Sequence, residues 1–246
     1  MTKESGLGDR LYVGGYDLSG DVNSPSLSGG PAPLVVTGID KGATERIGGV
    51  RDGNMGWTAF FNTAVGQAHP VLSALPTADV HVAYLHTTLL GAPAATIVAK
   101  QIGYDGSRAD DGAFTFALQA QANGFGLEWG QQLTPGLRTD TAATNGASLD
   151  QGAATAFGAQ AYLQVAALTG TDVTVKIQDS ADNVTFADVT GLTFAATTTA
   201  RTAQRIAVGG TQAVRRYVRA VTTTSGGFTS ASFIVIVNIN TVAVSF

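Results

Sequence analysis

The sequence predicts a mainly all-β protein: a sandwich- or barrel-forming domain with one short flanking helix, then a second, jelly-roll-like β-sandwich. Three observations predict this. Apolar residues alternate with period two, as in Phe114, Phe116, Leu118, Ala120 and Ala122, which sets them on one face of a strand. Turn signals recur at short intervals in the later part, at Gly170-Thr171, Ala181-Asp182-Asn183, Gly191, Gly209-Gly210 and Gly226-Gly227, a spacing typical of sandwiches and jelly rolls. Between the alternations the chain is filled with Thr, Ser, Gly and Ala, with 31 Gly in 246 residues and only 13% charged residues. That composition suits a surface that packs against other copies. It does not suit a pocket of convergent titratable groups.

The elements follow in order. Residues 1–10 form a polar arm, and residues 11–13 and 16–22 read as short strands broken by Gly14-Gly15 and Gly20. Residues 23–33 carry Pro25, Pro31 and several Ser and Gly, which marks a loop. After a short strand at 34–37, the stretch 38–54 is Gly-rich with alternating charge (Asp40, Lys41, Glu45, Arg46, Arg51, Asp52) and reads as a long loop. Strand character returns at 55–61. Ala64, Val65, Ala68, Val71, Leu72 and Leu75 recur at helical spacing, so a short helix is expected over 66–75, with Asn62 or Thr63 as N-cap and Pro76 as its end. Strands are then expected at 80–87, 94–102 and 114–121, with an acidic turn at 104–112. Residues 139–155 read as a linker. Further strands are expected at 161–165, 173–177, 186–189, 205–207, 217–221 and 233–237. The predicted division is 1–138, a linker 139–155, and 156–246.

Charge and motif content narrow the function. Residues 1–150 carry 8 Lys/Arg against 14 Asp/Glu, a balance of −6, and residues 151–246 carry 6 against 4, a balance of +2. An acidic half does not hold nucleic acid by neutralising phosphates, but it could line a passage that nucleic acid crosses without sticking. The basic excess at Arg215, Arg216 and Arg219 is expected to be a solvated strand face. With 0 Cys there is no disulfide or thiolate metal site. No apolar run reaches the roughly 20 residues of a membrane span, and residues 1–6 lack the apolar core of a secretion signal.

No catalytic, cofactor-binding or metal-binding set emerges. His81 and His86 fall on opposite faces of a strand, and His69 stands alone beside Pro70. Asp105, Asp110 and Asp111 do not match a calcium loop, because Gly112 and Phe116 occupy ligand positions. Asn123-Gly124-Phe125-Gly126 lacks the third glycine of a phosphate loop, so its glycines are expected to serve a bulge or tight turn. Trp57 and Trp129 are expected in a core or an interface. Asn183-Val184-Thr185 is a formal glycosylation sequon without a secretion signal beside it.

Two segments carry a family resemblance. Leu11-Tyr12-Val13-Gly14-Gly15-Tyr16-Asp17-Leu18-Ser19-Gly20-Asp21-Val22 resembles the opening of major tail (tail tube) proteins of long-tailed bacteriophages. Gly53-Asn54-Met55-Gly56-Trp57-Thr58-Ala59-Phe60-Phe61-Asn62, with the short helix after it, resembles their strand-then-helix segment, and residues 113–122 a later strand. The resemblance covers roughly residues 10–135. In the second module, residues 173–182 and 216–221 resemble strands of galactose-binding-like jelly rolls.

The tail tube resemblance implies a virion structural protein made in the host cytoplasm, with no enzyme activity and no cofactor. Its subunits would form hexameric rings that stack helically into a tube conducting DNA to the host. Partners would be other copies of itself, the tail terminator, the distal tail and tape measure proteins, and passing DNA that is not bound specifically. The second module would lie on the outer tube surface, where host surface glycans are its candidate partner. Asp105, Asp110 and Asp111 are the candidate acidic lumen residues, with an ordinary exposed hairpin tip as the competing reading. The arm 1–10 and the loop 38–54 would contact the next ring. Competing assignments are a capsid decoration or distal tail protein, and a carbohydrate-binding adhesin.

Overall fold

The protein is all-β with a single short helix, in a computed structural model that describes residues 5–243. β1 (Arg10–Val13), β2 (Tyr16–Asp17), β3 (Val22–Val35) and β4 (Arg46–Phe60) precede α1 (Ala68–Leu72). β5 (Val80–Leu85), β6 (Pro93–Arg108), β7 (Phe114–Ala122), β8 (Glu128–Gln132), β9 (Arg138–Asp140) and β10 (Leu149–Asp150) follow. The chain ends with β11 (Ala159–Thr169), β12 (Val173–Ser180), β13 (Ala187–Thr193), β14 (Thr202–Val208), β15 (Tyr217–Thr224) and β16 (Ser230–Ile239).

A continuous path of paired strands, β14-β11-β16-β8-β6-β5-β1-β2, joins the early and late parts of the chain. A separate sheet has the order β10-β15-β12-β13. The long strand β6 serves two layers. Residues 93–99 pair with β5 and β8, whereas residues 99–108 pair with β7, with a bulge between Gln101 and Gly103. The bulge lets one strand turn from one layer to the next. Beyond it, β6, β7, β4 and β3 form a four-stranded layer in that order.

Three cores separate the layers. Met55, Trp57, Phe116 and Leu118 from β4 and β7 pack against Leu11, Val82 and Ile97, with Leu72 of α1 among them. On the opposite faces of β1, β5 and β6, Tyr12, Ala83, Leu85 and Val98 meet Tyr162, Ile234 and Ile236 of β11 and β16. The remaining faces of β11 and β16 pack through Leu163, Val165, Phe233 and Val235 on Val175, Ile177 and Val218 of the separate sheet. Alternation along single strands produces this: Tyr162 and Leu163 are neighbours in sequence and belong to different cores.

The middle core joins the two halves, and polar groups lock it. Arg205 on β14 makes a bidentate contact with Glu128 on β8, at 3.1 and 3.0 Å. Tyr162 donates to the same carboxylate. The Arg205 guanidinium also lies 3.7 Å over the Phe125 ring. At the far end Gly15, with φ +85°, presses on the Arg201–Thr202 backbone, where a Cβ would come within 2.6 Å. Only glycine tolerates both that φ and that approach.

The structure departs from the sequence reading in several places. Residues 23–33, expected as a loop, belong to β3, and 46–54 of the expected loop 38–54 belong to β4. Proline obscured this. Pro25, Pro31 and Pro33 lie in an edge strand whose only partner is β4, with register shifts at Asn23/Ser26 and Pro31/Pro33. An edge with bulges is where a missing N–H is tolerated. The helix exists but is cut to Ala68–Leu72, with Pro70 inside its first turn. Its N-cap is Gln67 rather than Asn62 or Thr63, and Asp21 from a distant turn accepts the Ala68 N–H. The expected glycine turn at 123–126 leads directly into β8, and the expected acidic turn at 104–112 is strand up to Arg108. Within 139–155, β10 pairs with β15, and Gly146 and Thr155 donate backbone hydrogen bonds to Ala220 and Val214. Trp57 is core, whereas Trp129 is 52% exposed.

Candidate functional site

The β6-β7-β4-β3 layer has one face on the core and one face open. Met55, Trp57 and Ala59 on β4, and Phe116, Leu118 and Ala120 on β7, point inward. The alternate residues therefore point to the open side. These are Asp52, Asn54, Gly56, Thr58 and Phe60 on β4, the last four paired with Gln121, Gln119, Ala117 and Thr115 on β7. Ser26 and Ser28 continue the rows on β3, paired with Gly56 and Asn54. On β6, Tyr104 pairs with Leu118 and turns inward, so Asp105, paired with Ala117, turns outward. The face is thus hydroxyl, amide and small side chains with two carboxylates, and Phe60 at one end. Gln121 donates to Asp52 at 2.6 Å and ties two strands together across it. The one cation in these rows, Lys100, is held at 2.8 Å by Asp79.

Both edges of this layer are open among the described residues. β3 pairs with β4 alone, and residues 101–108 of β6 pair with β7 alone. Free edges of this length invite pairing or packing with another chain.

The two ends of the layer differ. At one end the β3–β4 hairpin runs beyond the core, with Leu34 and Ile47 in register and Val36 close by. Leu34 is 50%, Ile39 fully and Val50 80% exposed. Its tip carries Lys41 bound to Glu45 at 3.4 Å. At the other end Phe60 and Phe61 are each 45% exposed, and Phe61 tilts against Phe114 with ring centroids 5.2 Å apart. His69 of α1 packs edge-on to Phe61 at 4.7 Å and contacts the Tyr104 hydroxyl at 2.7 Å.

The three candidate acidic residues are not equivalent. Asp105 is exposed on the open face, five or more residues from the hairpin tip, whereas Asp110 and Asp111 occupy the exposed β6–β7 turn beside the Phe end. Asp111 accepts the Ala113 N–H at 2.9 Å, an Asx turn closed within the tip. Asp52 was missed as a member of this face because its segment read as loop. The register with Gln121 could not be found without knowing that β4 extends through it.

Among the described residues, the arm is held through Asp9. Asp9 accepts hydrogen bonds from the Thr87 N–H at 3.0 Å and from Tyr84, and contacts His86 Nδ1 at 3.0 Å. Burial and then the Asp9 hydrogen bond push the Tyr84 phenol up to about 12. The part of the expected arm at 1–4 lies outside the described residues.

The basic strand face in the second module is solvated but not free. Arg216 makes a bidentate pair with Asp150 at 2.7 Å, Arg215 pairs with Asp179 at 2.6 Å, and Arg219 donates to Gln178 while lying 4.0 Å over Phe186. No group of three His, Cys, Asp or Glu among the described residues is placed to hold a metal ion.

No protein-family model and no curated protein matches the sequence. Among solved structures, the tail of an empty gene transfer agent particle, with C6 symmetry, matches at a TM-score of 0.41 and 14% identity, covering 52% of this chain and 98% of the other. The Dit protein of phage SPP1, described as a hub adsorption apparatus of phages infecting Gram-positive hosts, matches at 0.32 and 13%, covering 94% and 99%. The activated phage p2 baseplate matches at 0.34 and 10%, covering 94% and 98%. At these scores the likenesses carry no functional argument.

Proposed function

We propose that this chain is a non-enzymatic structural subunit of a phage tail, and that its copies close into rings through the β6-β7-β4-β3 layer and stack into a tube. One observation carries the reading: a four-stranded layer that is open at both edges and presents a hydroxyl- and amide-rich face with Asp52 and Asp105 and only one, neutralised, cation. Joining the free β3 side of one copy to the free β6 side of the next covers the edges and repeats the layer around an axis. The open face then becomes the wall of a bore. Fixed carboxylates on that wall repel phosphate, and the absence of free cations leaves nothing to hold it. The sequence resemblance over residues 10–135 supports the same reading.

In this arrangement Asp105 lies on the wall, and Asp110 and Asp111 lie at its rim. The separate sheet of β10, β15, β12 and β13 lies outside the tube, because three cores separate it from the open face. Hexameric closure and the DNA-conducting role rest on the resemblance.

Negative-stain microscopy of the purified full chain tests the reading. Rings with a central hole, or tubes built of them, are the expected result. A chain that stays monomeric at high concentration, and is located in virions away from the tail shaft, overturns it.

A further inference from the structure

Trp129 belongs neither to the three cores nor to the open face. On β8, Glu128 turns inward and is 5% exposed, so Trp129 turns the other way and is 52% exposed. Its side chain stands under the β3–β4 hairpin, in a cleft of about 240 Å³ shared with Gly29, Pro31, Arg51, Gly126 and Leu127. Tryptophan is highly buried on average in folded chains, so a ring left open at a cleft calls for a partner.

Glycines shape the cleft. Leu127 lies directly on the hairpin backbone at the Gly29–Gly53 pair. A Cβ on Gly29 would come 2.6 Å from the Leu127 Cβ, and one on Gly53 would come 2.5 Å from the Leu127 nitrogen. Gly126 stands against Arg51, where an added Cβ would come 3.1 Å from the Arg51 Cβ. Side chains at these positions would push the segment before β8 away from the hairpin. Their absence lets the backbones approach closely and brings the indole of Trp129 beside Arg51, with Leu127 and Pro31 as apolar surface in the same cleft.

The lining selects a class of ligand. The electron-rich face of the indole suits the C–H face of a sugar ring. Arg51 adds a planar fork of N–H donors and has no carboxylate within ion-pair distance among the described residues. Asp52 comes next in the chain, turns to the open face and is held there by Gln121 at 2.6 Å, so the two neighbours together carry no net charge. One balanced guanidinium, with no second aromatic ring in the lining, is a poor track for a polyanion. The volume also falls below the usual range of about 300–1,000 Å³ for drug-sized ligands, which suits one ring rather than an extended chain.

We propose that the Trp129 cleft binds a neutral saccharide, with one pyranose ring stacked on the indole and its hydroxyl oxygens accepting hydrogen bonds from Arg51. The site goes beyond the tail-subunit reading and does not depend on it. Trp129, Arg51 and Leu127 come from one chain, and none of them lies on the face assigned to the bore.

Saturation-transfer NMR on the purified full chain tests it. The probes are glucose, galactose and N-acetylglucosamine, with a thymidine oligonucleotide as the polyanionic comparison. Transfer to the ring C–H protons of at least one sugar is expected, with a millimolar dissociation constant. Trp129→Ala is expected to abolish the transfer, and Arg51→Gln to weaken binding about tenfold. Both sites are exposed, and circular dichroism checks the fold of each variant. A second readout needs no substitution. The other tryptophan, Trp57, is 4% exposed, so a shift of emission to shorter wavelength on adding the sugar reports that Trp129 is being covered. No transfer to any of these sugars, transfer undiminished in Trp129→Ala, or emission unchanged at sugar concentrations that give transfer overturns the proposal. Oligonucleotide binding through Trp129 in the absence of sugar binding also overturns it, and makes the cleft a nucleic-acid site instead.

Discussion

The two halves of this molecule treat their exposed groups in opposite ways. Of the six Lys and Arg after residue 150, Lys176 pairs with Asp188, Arg205 with Glu128, Arg215 with Asp179 and Arg216 with Asp150, while Arg201 and Arg219 lie over the Tyr16 and Phe186 rings. In the earlier half Lys41 and Lys100 pair with Glu45 and Asp79, but Arg46, Arg51 and Arg108 have no described carboxylate partner, and the long exposed strands and the residues next to them carry Leu34, Val36, Ile39, Ile47, Phe60, Phe61 and Phe114. An exposed apolar ribbon is a liability for an isolated domain. The later half completes its interactions within one chain. On the proposed reading the earlier half leaves them for a neighbour, so that assembly chemistry is concentrated in one layer and the rest of the chain holds that layer in place.

The largest expected effect comes from separating the halves. If residues 139–155 were a flexible tether, truncation after residue 145 would leave a folded earlier half. The shared sheet argues otherwise. Truncation removes β16 from β8 and strips Tyr162, Ile234 and Ile236 from the core that covers Tyr12, Ala83 and Leu85. The fragment is expected to lose cooperative unfolding and to aggregate, read by thermal melts monitored with circular dichroism. A cooperative melt near that of the full chain would show that the halves are independent after all.

A smaller effect is expected from the polar lock between them. Glu128 and Arg205 are 5% and 6% exposed as side chains. Removing one partner strands a buried charge, so Glu128→Ala is expected to cost roughly 3–5 kcal/mol in urea unfolding. The surface pair is the control: Lys176→Ala, opposite a half-exposed Asp188, should cost about 1 kcal/mol or less. Equal losses would mean that the halves are not joined through a dry polar contact.

How much of this was legible follows from the type of signal each element carries. Strict alternation gave β7 and β12 their places, because a face buried at every second residue leaves period two in the sequence, whereas β11 and β16, covered on both faces, were legible as short apolar stretches. The helix was visible through Ala68 and Leu72, though it is shorter than its periodicity suggested. β3 and the first part of β4 were hidden. Their side chains are exposed on both faces, so no alternation marks them, and Pro25, Pro31 and Pro33 point to a loop. β8 was hidden by the glycines before it and by its shortness, although it is the strand that ties the halves together. Of the candidate acidic residues, the sequence could name Asp105, Asp110 and Asp111 but could not divide them. That division depends on the bulge after Gln101, which turns Tyr104 inward and Asp105 outward.

The smallest expected effect concerns a charge pair at the surface of the later half. Two hydrogen bonds from Arg216, then one from the Gly152 N–H, hold the Asp150 carboxyl down at about 2, from an ordinary value of 3.8. A carboxyl lowered on folding contributes stability above its unfolded value and loses it as pH falls through its folded value. The contribution of this pair is therefore complete above about pH 4 and fades toward pH 2. Both side chains are nearly half exposed, at 46% and 43%, so solvent screens the pair and the change in stability is small. The carboxyl itself is the better observable. In a carbon-detected NMR titration Asp150 is expected to stay ionised at pH 3, and Arg216→Gln is expected to return its midpoint toward 3.8. That same variant should assemble as the unsubstituted chain does. A midpoint near 3.8 in the unsubstituted chain would show that this pair is not held in solution. Impaired assembly in Arg216→Gln would place an assembly contact in the later half, and so break the division between the two.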